Sequence, residues 1–434
     1  MKKSIAQVFT SFFLFGVMAV QAQEQEVELA NYLRNAQYQQ AIEYIDSQEE
    51  PVWDWVYQKA LCYKWLSNYS KAIEILENLQ ENYPDNIPIQ LELAQCYEIN
   101  LRYPQSIYWY QKLVEADPEN AYFQVRKADL LYRAEKYTRA LEEFLQIDPE
   151  RYHPGYLKKS IALCYEKLNQ PDSAKVYYLA ACETDPGDVF SALSLVKLYV
   201  RQEDYSQALL YSEAFLKADT TNAQMNVLNA FAYYNLNVYE EAIRRFEKCH
   251  AAGDSSLMVY RSLGISHFFQ QNDSEALPYL QQAYERDSTN MTVLYALALV
   301  SYNLGHYPEA IGAFQKLVQQ ALPNPNALYS YYKGLAQAYE KNGIYNRAVG
   351  NYISANTYAS TNTQKMDLLF SISTLFEFNL KDYTMAVVYY KQYYASLLNY
   401  ESTILDQDGP DSEEAKAIQL KLTELDKHIQ ELQK

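Results

Sequence analysis

The chain has 434 residues, 49% of them apolar, and only 11 glycines, so it can bury a large core and is poor in the turns that a β architecture needs. Its formal net charge is −17 and no run of Lys or Arg interrupts it, which disfavours nucleic-acid phosphates and anionic lipid as partners. Tyrosine contributes 44 residues, and any reading of the chain has to place them.

The N-terminus reads as an export signal. Lys2 and Lys3 precede an apolar stretch containing Phe12, Phe13, Leu14, Phe15, Val17 and Met18, and Val20-Gln21-Ala22 offers a cleavage site. The apolar run is shorter than a membrane-spanning helix requires, and no Cys near Ala22 could carry a lipid. Cleavage after Ala22 is expected, with residues 1–22 lost and the mature chain periplasmic in a Gram-negative cell. Tyr32, Tyr38 and Ala41 mark residues 23–52 as a degenerate N-terminal repeat, or cap.

From residue 53 a period dominates. Small residues recur every 34 positions at Ala72, Ser106, Ala140, Ala174, Ala208, Ala242, Ala276 and Ala310. Twelve positions before each stands Ala60, Ala94, Ala128, Ala162, Val196, Ala230, Gly264 or Ala298. Aromatics hold fixed places between and after them: Tyr63, Tyr97, Tyr165, Tyr199 and Tyr233; Tyr69, Tyr103, Tyr137, Tyr205, Tyr239 and Tyr307; then Tyr110, Phe144, Tyr178, Phe246 and Phe314. The apolar positions keep helical spacing, and turns such as Leu168-Asn169-Gln170-Pro171-Asp172 break each unit in two. The unit is therefore a helical hairpin, with small residues where the two backbones cross and aromatics filling the space beside them. One hairpin cannot bury its own apolar faces, so the units must stack.

This pattern resembles the tetratricopeptide repeat (TPR) family, whose 34-residue unit carries small, aromatic and Pro positions at these offsets. The resemblance implies an all-α, right-handed α-solenoid of stacked hairpins. It covers eight units over 53–320 and two looser ones over 321–400, marked by Ala336, Tyr339, Tyr345, Ala348 and Tyr352, then Tyr383, Ala386 and Tyr390. Their extra residues are expected in the loops at 322–326 and 360–363. The family's frequent Trp is absent; Val56, Gln90, Gln124 and Lys158 hold its place.

The resemblance also implies a groove lined by the first helices. Carried onto this sequence, its positions are Tyr57, Lys64 and Trp65; Tyr122, Asp129, Tyr132 and Arg133; Tyr156 and Lys159; Phe190, Lys197 and Arg201; Phe231 and Tyr234; Phe268 and Phe269; Tyr295 and Tyr302. Aromatic and Arg side chains are the usual anchors of protein interfaces. The Lys and Asn pair by which some TPR domains clamp a chaperone's C-terminal carboxylate is missing, since the first unit has Tyr57 and Leu61 there.

Residues 401–411 read as a linker ending in Asp408-Gly409-Pro410-Asp411. Beyond it, Ala415, Ile418, Leu422, Leu425, Ile429 and Leu432 space a helix over 412–434 that either caps the last repeat or forms a short coiled coil and a homodimer. Cys62, Cys96 and Cys164 share one repeat position, too far apart to bridge, and together with Cys182 and Cys249 they read as buried free thiols.

The five histidines fall in different units, and no HExxH, GxSxG or phosphate-binding Gly loop is present. Neither an enzyme nor a metal or cofactor is expected. Three functions remain: a protein–protein scaffold of the cell envelope, in outer-membrane assembly, secretion or polysaccharide export; a carbohydrate or small-ligand binder; and a self-assembling structural protein.

Overall fold

The computed structural model describes residues 26–49, 51–321, 327–408 and 413–434. The expected cleavage at Ala22 and the loop at 322–326 lie outside these residues. The chain divides into two compact units, 1–198 and 199–434. The described residues form helices and the turns between them.

The first unit contains α1 (residues 26–34), α2 (Tyr38–Asp46), α3 (Trp53–Trp65), α4 (Tyr69–Asn82), α5 (Ile87–Ile99), α6 (Tyr103–Ala116), α7 (Ala121–Arg133), α8 (Tyr137–Gln146), α9 (Pro154–Lys167) and α10 (Pro171–Thr184). It closes within α11 (Val189–Arg201). From α3 onward, odd-numbered helices are first arms and even-numbered ones second arms. The crossing residues Ala60, Ala72, Ala94, Ala128, Ala140, Ala162 and Ala174 are all fully buried. At Ser106 the small side chain also donates from Oγ to the carbonyl of Ala94 across the crossing, at 2.7 Å.

The second unit contains α12 (Tyr205–Ala218), α13 (Ala223–Asn235), α14 (Tyr239–Ala251), α15 (Leu257–Phe269), α16 (Asp273–Arg286), α17 (Met291–Asn303) and α18 (Tyr307–Ala321). It continues with α19 (Leu328–Lys341), α20 (Tyr345–Thr357), α21 (Asn362–Thr374), a π-helical turn at Leu375–Leu380, α22 (Tyr383–Asp408) and α23 (Glu413–Leu432). Here a crossing needs the smallest residue. A Cβ on Gly264 would sit 2.8 Å from Cγ of Leu280 and 3.0 Å from its backbone nitrogen.

Sharp reversals join the arms. Ser67, Leu101, Glu135, Asn169, Asn237 and Gln271 each take a left-handed conformation with φ near +60°. The next residue then donates back across the helix end, as Arg102 does to the Tyr97 carbonyl at 2.8 Å. This motif satisfies carbonyls that a helix terminus leaves open, and glycine is its usual residue.

Two expectations are corrected at the C-terminal end, and the role of the last helix is seen. Residues 401–408 are the last turns of α22 rather than a linker, because Tyr393, Leu397 and Ile404 continue its apolar seam before Gly409 and Pro410. The extra residues of the last repeat are not in the 360–363 loop. Its first arm and turn fill 362–382, where a regular unit fills 291–306, and the added length is the π-helical turn. Finally, the seam of α23, from Ala415 to Ile429, is buried in its own chain against Tyr390, Tyr393, Leu397 and Ile404. That packing caps the stack, the first of the two roles expected for this helix.

The cysteines are free: Cys62, Cys96, Cys164 and Cys249 are buried and Cys182 half-buried. Burial pushes the thiols of Cys62, Cys96 and Cys182 up to about 11 and that of Cys164 to about 12.

Candidate functional site

In the first unit the first arms are tied to one another by polar contacts, each reaching one repeat further. Lys64 on α3 meets Glu92 at 2.5 Å and Gln95 at 2.7 Å on α5. Arg126 and Arg133 on α7 converge on Glu98 of α5; Arg126 Nη2 holds both carboxylate oxygens and Arg133 Nη1 lies 3.0 Å from one. The Tyr156 hydroxyl on α9 donates to Asp129 on α7 at 2.7 Å. Lys159 pairs with Asp188, just before α11, at 3.3 Å and lies 5.9 Å from the centre of the Phe190 ring. Helical spacing explains the set: Arg126, Asp129 and Arg133 stand at i, i+3 and i+7, on one face of α7.

Depth gives these ties a direction. The Glu98 side chain is 10% exposed and the Arg133 side chain 51%. Lys159 is likewise more exposed than Asp188. In these two ties the acid lies below and the cation reaches solvent, while Lys64 and Glu92 are equally deep. Burial raises the Asp129 carboxyl above its usual range, and the Tyr156 hydroxyl, Arg126 and Arg133 work against that rise. Burial also opposes charge on Asp188, but Oγ and N–H of Ser191, together with Lys159, hold it below its usual value. Tyr152, His153, Gly155, Tyr156, Lys159, Asp185 and Asp188 line a cavity of about 320 Å³ beside this pair.

The remaining expected groove residues of the first unit divide. Tyr122 and Phe190 are exposed. Lys197 is also exposed. Tyr57 is half-buried, and burial, then the charge of Glu92, pushes its hydroxyl up to about 12. Trp65 is exposed too while lying against Tyr38 at 4.9 Å, and Tyr132 packs against Tyr137 at 5.3 Å.

In the second unit the corresponding positions are aromatic and touch one another. Tyr205, Phe231 and Tyr234 run on to Tyr239, which stacks on Phe269 at 4.8 Å with the rings 10° apart. Phe268 adjoins Phe269. Tyr295 packs on Tyr331 at 5.3 Å and Tyr302 on Tyr307 at 5.9 Å. Arg201 is exposed.

Sequence reading passed over Glu92, Gln95, Glu98, Arg126 and Asp188. Gln95 and Glu98 occupy the groove positions of the one early unit from which no residue was chosen. Their signal was the family spacing itself, without a preference for aromatics and cations.

Comparison with known proteins agrees with this architecture. A tetratricopeptide repeat family model matches residues 110–151, 261–325 and 295–355, and two further models of the repeat match 56–86 and 160–188. The chain carries tetratricopeptide repeats. It is 24% identical over 272 residues to Superkiller complex protein 3 of Homo sapiens, covering 60% of this chain and 17% of that protein. It is 24% identical over 260 residues to the TPR repeat-containing protein YpiA of Bacillus subtilis, covering 51% of this chain and 61% of YpiA. Among solved structures it is similar to YrrB, described as a TPR protein with an unusual peptide-binding site, at 20% identity and TM-score 0.40, over 44% of this chain and 96% of that one. A tetratricopeptide repeat protein from Parabacteroides merdae aligns at 17% identity and TM-score 0.37, over 62% and 98%. Proteins of this fold generally mediate protein–protein interactions and are typically non-catalytic. Among the described residues no helix is long and apolar enough to cross a membrane.

Proposed function

We propose that this TPR chain is an exported, non-catalytic scaffold of the cell envelope that holds an extended segment of a partner polypeptide along the first arms of its first unit. The observation that carries the reading is the run of inter-arm ties from Lys64 to Asp188, with Arg133 and Lys159 more exposed than the acids they hold and Tyr122 and Phe190 exposed beside them. Such a face offers aromatic area and charged hydrogen-bond donors already held in place, which lowers the ordering cost of binding. Outer-membrane assembly, secretion and polysaccharide export are the settings in which an exported scaffold of this kind would serve.

The carbohydrate reading has less to work with. A sugar ring needs a free aromatic face, and in the second unit Tyr239 and Phe269 present theirs to each other. A broad glycan panel should therefore give no saturable binding.

The groove is tested with mature protein, from Gln23 onward, as bait in envelope extract. A partner retained by the native chain should be lost when Tyr122, Arg133 and Phe190 are replaced together by Ala. These side chains are largely exposed, so the variant should keep its fold. A partner that stays bound to the folded triple variant would place the interface elsewhere.

A further inference from the structure

In four hairpins the second arm carries a tyrosine four residues after its small crossing residue: Tyr110, Tyr178, Tyr352 and Tyr390. In those four a glutamate stands opposite in the first arm: Glu98, Glu166, Glu340 and Glu377. Where the tyrosine is replaced by Leu76, Phe144, Ser212, Phe246, Leu280 or Phe314, the opposing position holds Lys64, Tyr132, Val200, Tyr234, Phe268 or Tyr302, and none is an acid. The pair works as a bolt inside the hairpin. Tyr178 donates to Glu166 at 3.0 Å, Tyr352 to Glu340 at 2.7 Å and Tyr390 to Glu377 at 2.8 Å.

The fourth bolt is open. Glu98 has the same spacing from Tyr110 as Glu166 from Tyr178, yet its oxygens are held by Arg126 and Arg133. Tyr110 is fully buried, and its hydroxyl finds no acceptor among the described residues. The Arg126 guanidinium beside it carries donors only and cannot accept the phenolic proton. The Nε of Arg126 is orphaned as well. Buried donors without partners are rare because each carries its full desolvation cost. Glu98 has thus left the role its counterparts play and taken two guanidinium groups on the groove face instead.

We propose that Arg133 and Arg126 form a subsite for a side-chain carboxylate of the bound polypeptide, with Glu98 as a displaceable occupant. When an Asp or Glu of the partner takes the exposed Arg133, Glu98 turns back and accepts the Tyr110 hydroxyl, closing the fourth bolt. On Arg133 one carboxylate replaces another, and Glu98 keeps Arg126, so each guanidinium still faces a carboxylate. The gain is the hydrogen bond that Tyr110 lacks in the free protein. Asp129 does not compete for this role, because it keeps the Tyr156 hydroxyl at 2.7 Å and lies 3.9 Å from Arg126. The inference rests on the proposed reading that this face holds a polypeptide, and it specifies the segment as acidic.

The test measures fluorescence-anisotropy affinities of the full mature chain for three labelled decapeptides with blocked ends. One carries a Glu between two Phe residues, and its twins carry Gln or Lys instead; blocking the ends excludes a terminal carboxylate. The Glu peptide should bind about tenfold more tightly than the Gln twin, and Arg133→Ala should erase the difference. Tyr110→Phe should weaken the Glu peptide about fivefold, leave the Gln twin unaffected and leave thermal stability intact. Equal binding of the Glu and Gln peptides, or tighter binding of the Lys twin, would overturn the carboxylate subsite while the groove reading stands. Failure of all three peptides to bind would contradict the groove reading and this inference with it. A loss of stability in Tyr110→Phe as large as that in Tyr178→Phe would show that the hydroxyl was already satisfied, and the exchange would be wrong.

Discussion

Removing the hydroxyl of Tyr178 isolates one bolt from everything around it. The ring stays packed, and Glu166 loses its donor at 3.0 Å. Tyr178→Phe should cost about 1 kcal/mol, read as a lower denaturant midpoint with an unchanged helical spectrum. His267 gives a second single-residue prediction. It is buried, stacked on Tyr279 at 5.8 Å, and neither ring nitrogen has a hydrogen-bond partner among the described residues. Burial lowers its pKa below the ordinary 6.5, while Glu247 and Glu275 pull the other way. A histidine with a lowered folded pKa binds fewer protons in the native state than in the unfolded one. Stability is therefore lost as pH falls from 6.5 towards the folded value. The midpoint of His267→Phe should fall less between neutral and mildly acid pH than that of the native chain, and equal falls would refute the assignment. At this scale the 34-residue step sets His267 in the aromatic slot that Tyr199 and Tyr233 hold in the units before it. It did not show Glu98 as a hub, because aromatics and cations are the side chains an interface is expected to display. Yet the Tyr–Glu pairing, 12 residues apart in three hairpins and 13 in the fourth, was there to be read.

The helices themselves were legible because the 34-residue step fixes both arms and the crossing between them. Ala60, Ala72 and Gly264 are small for the reason expected, and the close approach of Leu280 to Gly264 shows how little room remains. What the period did not show is where it fails. Residues 401–411 read as a linker, whereas the apolar seam through Leu397 and Ile404 carries α22 on to Asp408. The π-helical turn was equally hidden, since a few added residues can enter a helix as readily as a loop. The turns between arms yield a prediction. Leu101 is 71% exposed and held at φ +57°, a conformation that penalises a side chain with a Cβ. Leu101→Gly should stabilise the first unit by about 1 kcal/mol, seen as a higher denaturant midpoint.

For the whole molecule, composition spoke before structure did. The net charge of −17 is spread over a chain whose groove-facing cations stand out against acids set deeper. That arrangement was not visible in a linear count, because it depends on which partner of each pair is buried. Many of the 44 tyrosines now have places as hairpin bolts, inter-helix stacks and exposed groove rings. Export has its own test: N-terminal sequencing of the protein recovered from cells should begin at Gln23, and an intact Met1 would contradict processing after Ala22.

The central claim is that a polypeptide lies along the first arms of the first unit. The most direct measurement is site-specific photocrosslinking in cells, with the reactive residue placed at Tyr122 or Phe190 on that face, or at Tyr108 or Val176 on second arms, all exposed. The account predicts one discrete adduct from Tyr122 and from Phe190, abolished by Arg133→Ala, and none from Tyr108 or Val176. Adducts from Tyr108 and Val176 with none from Tyr122 or Phe190 would contradict it.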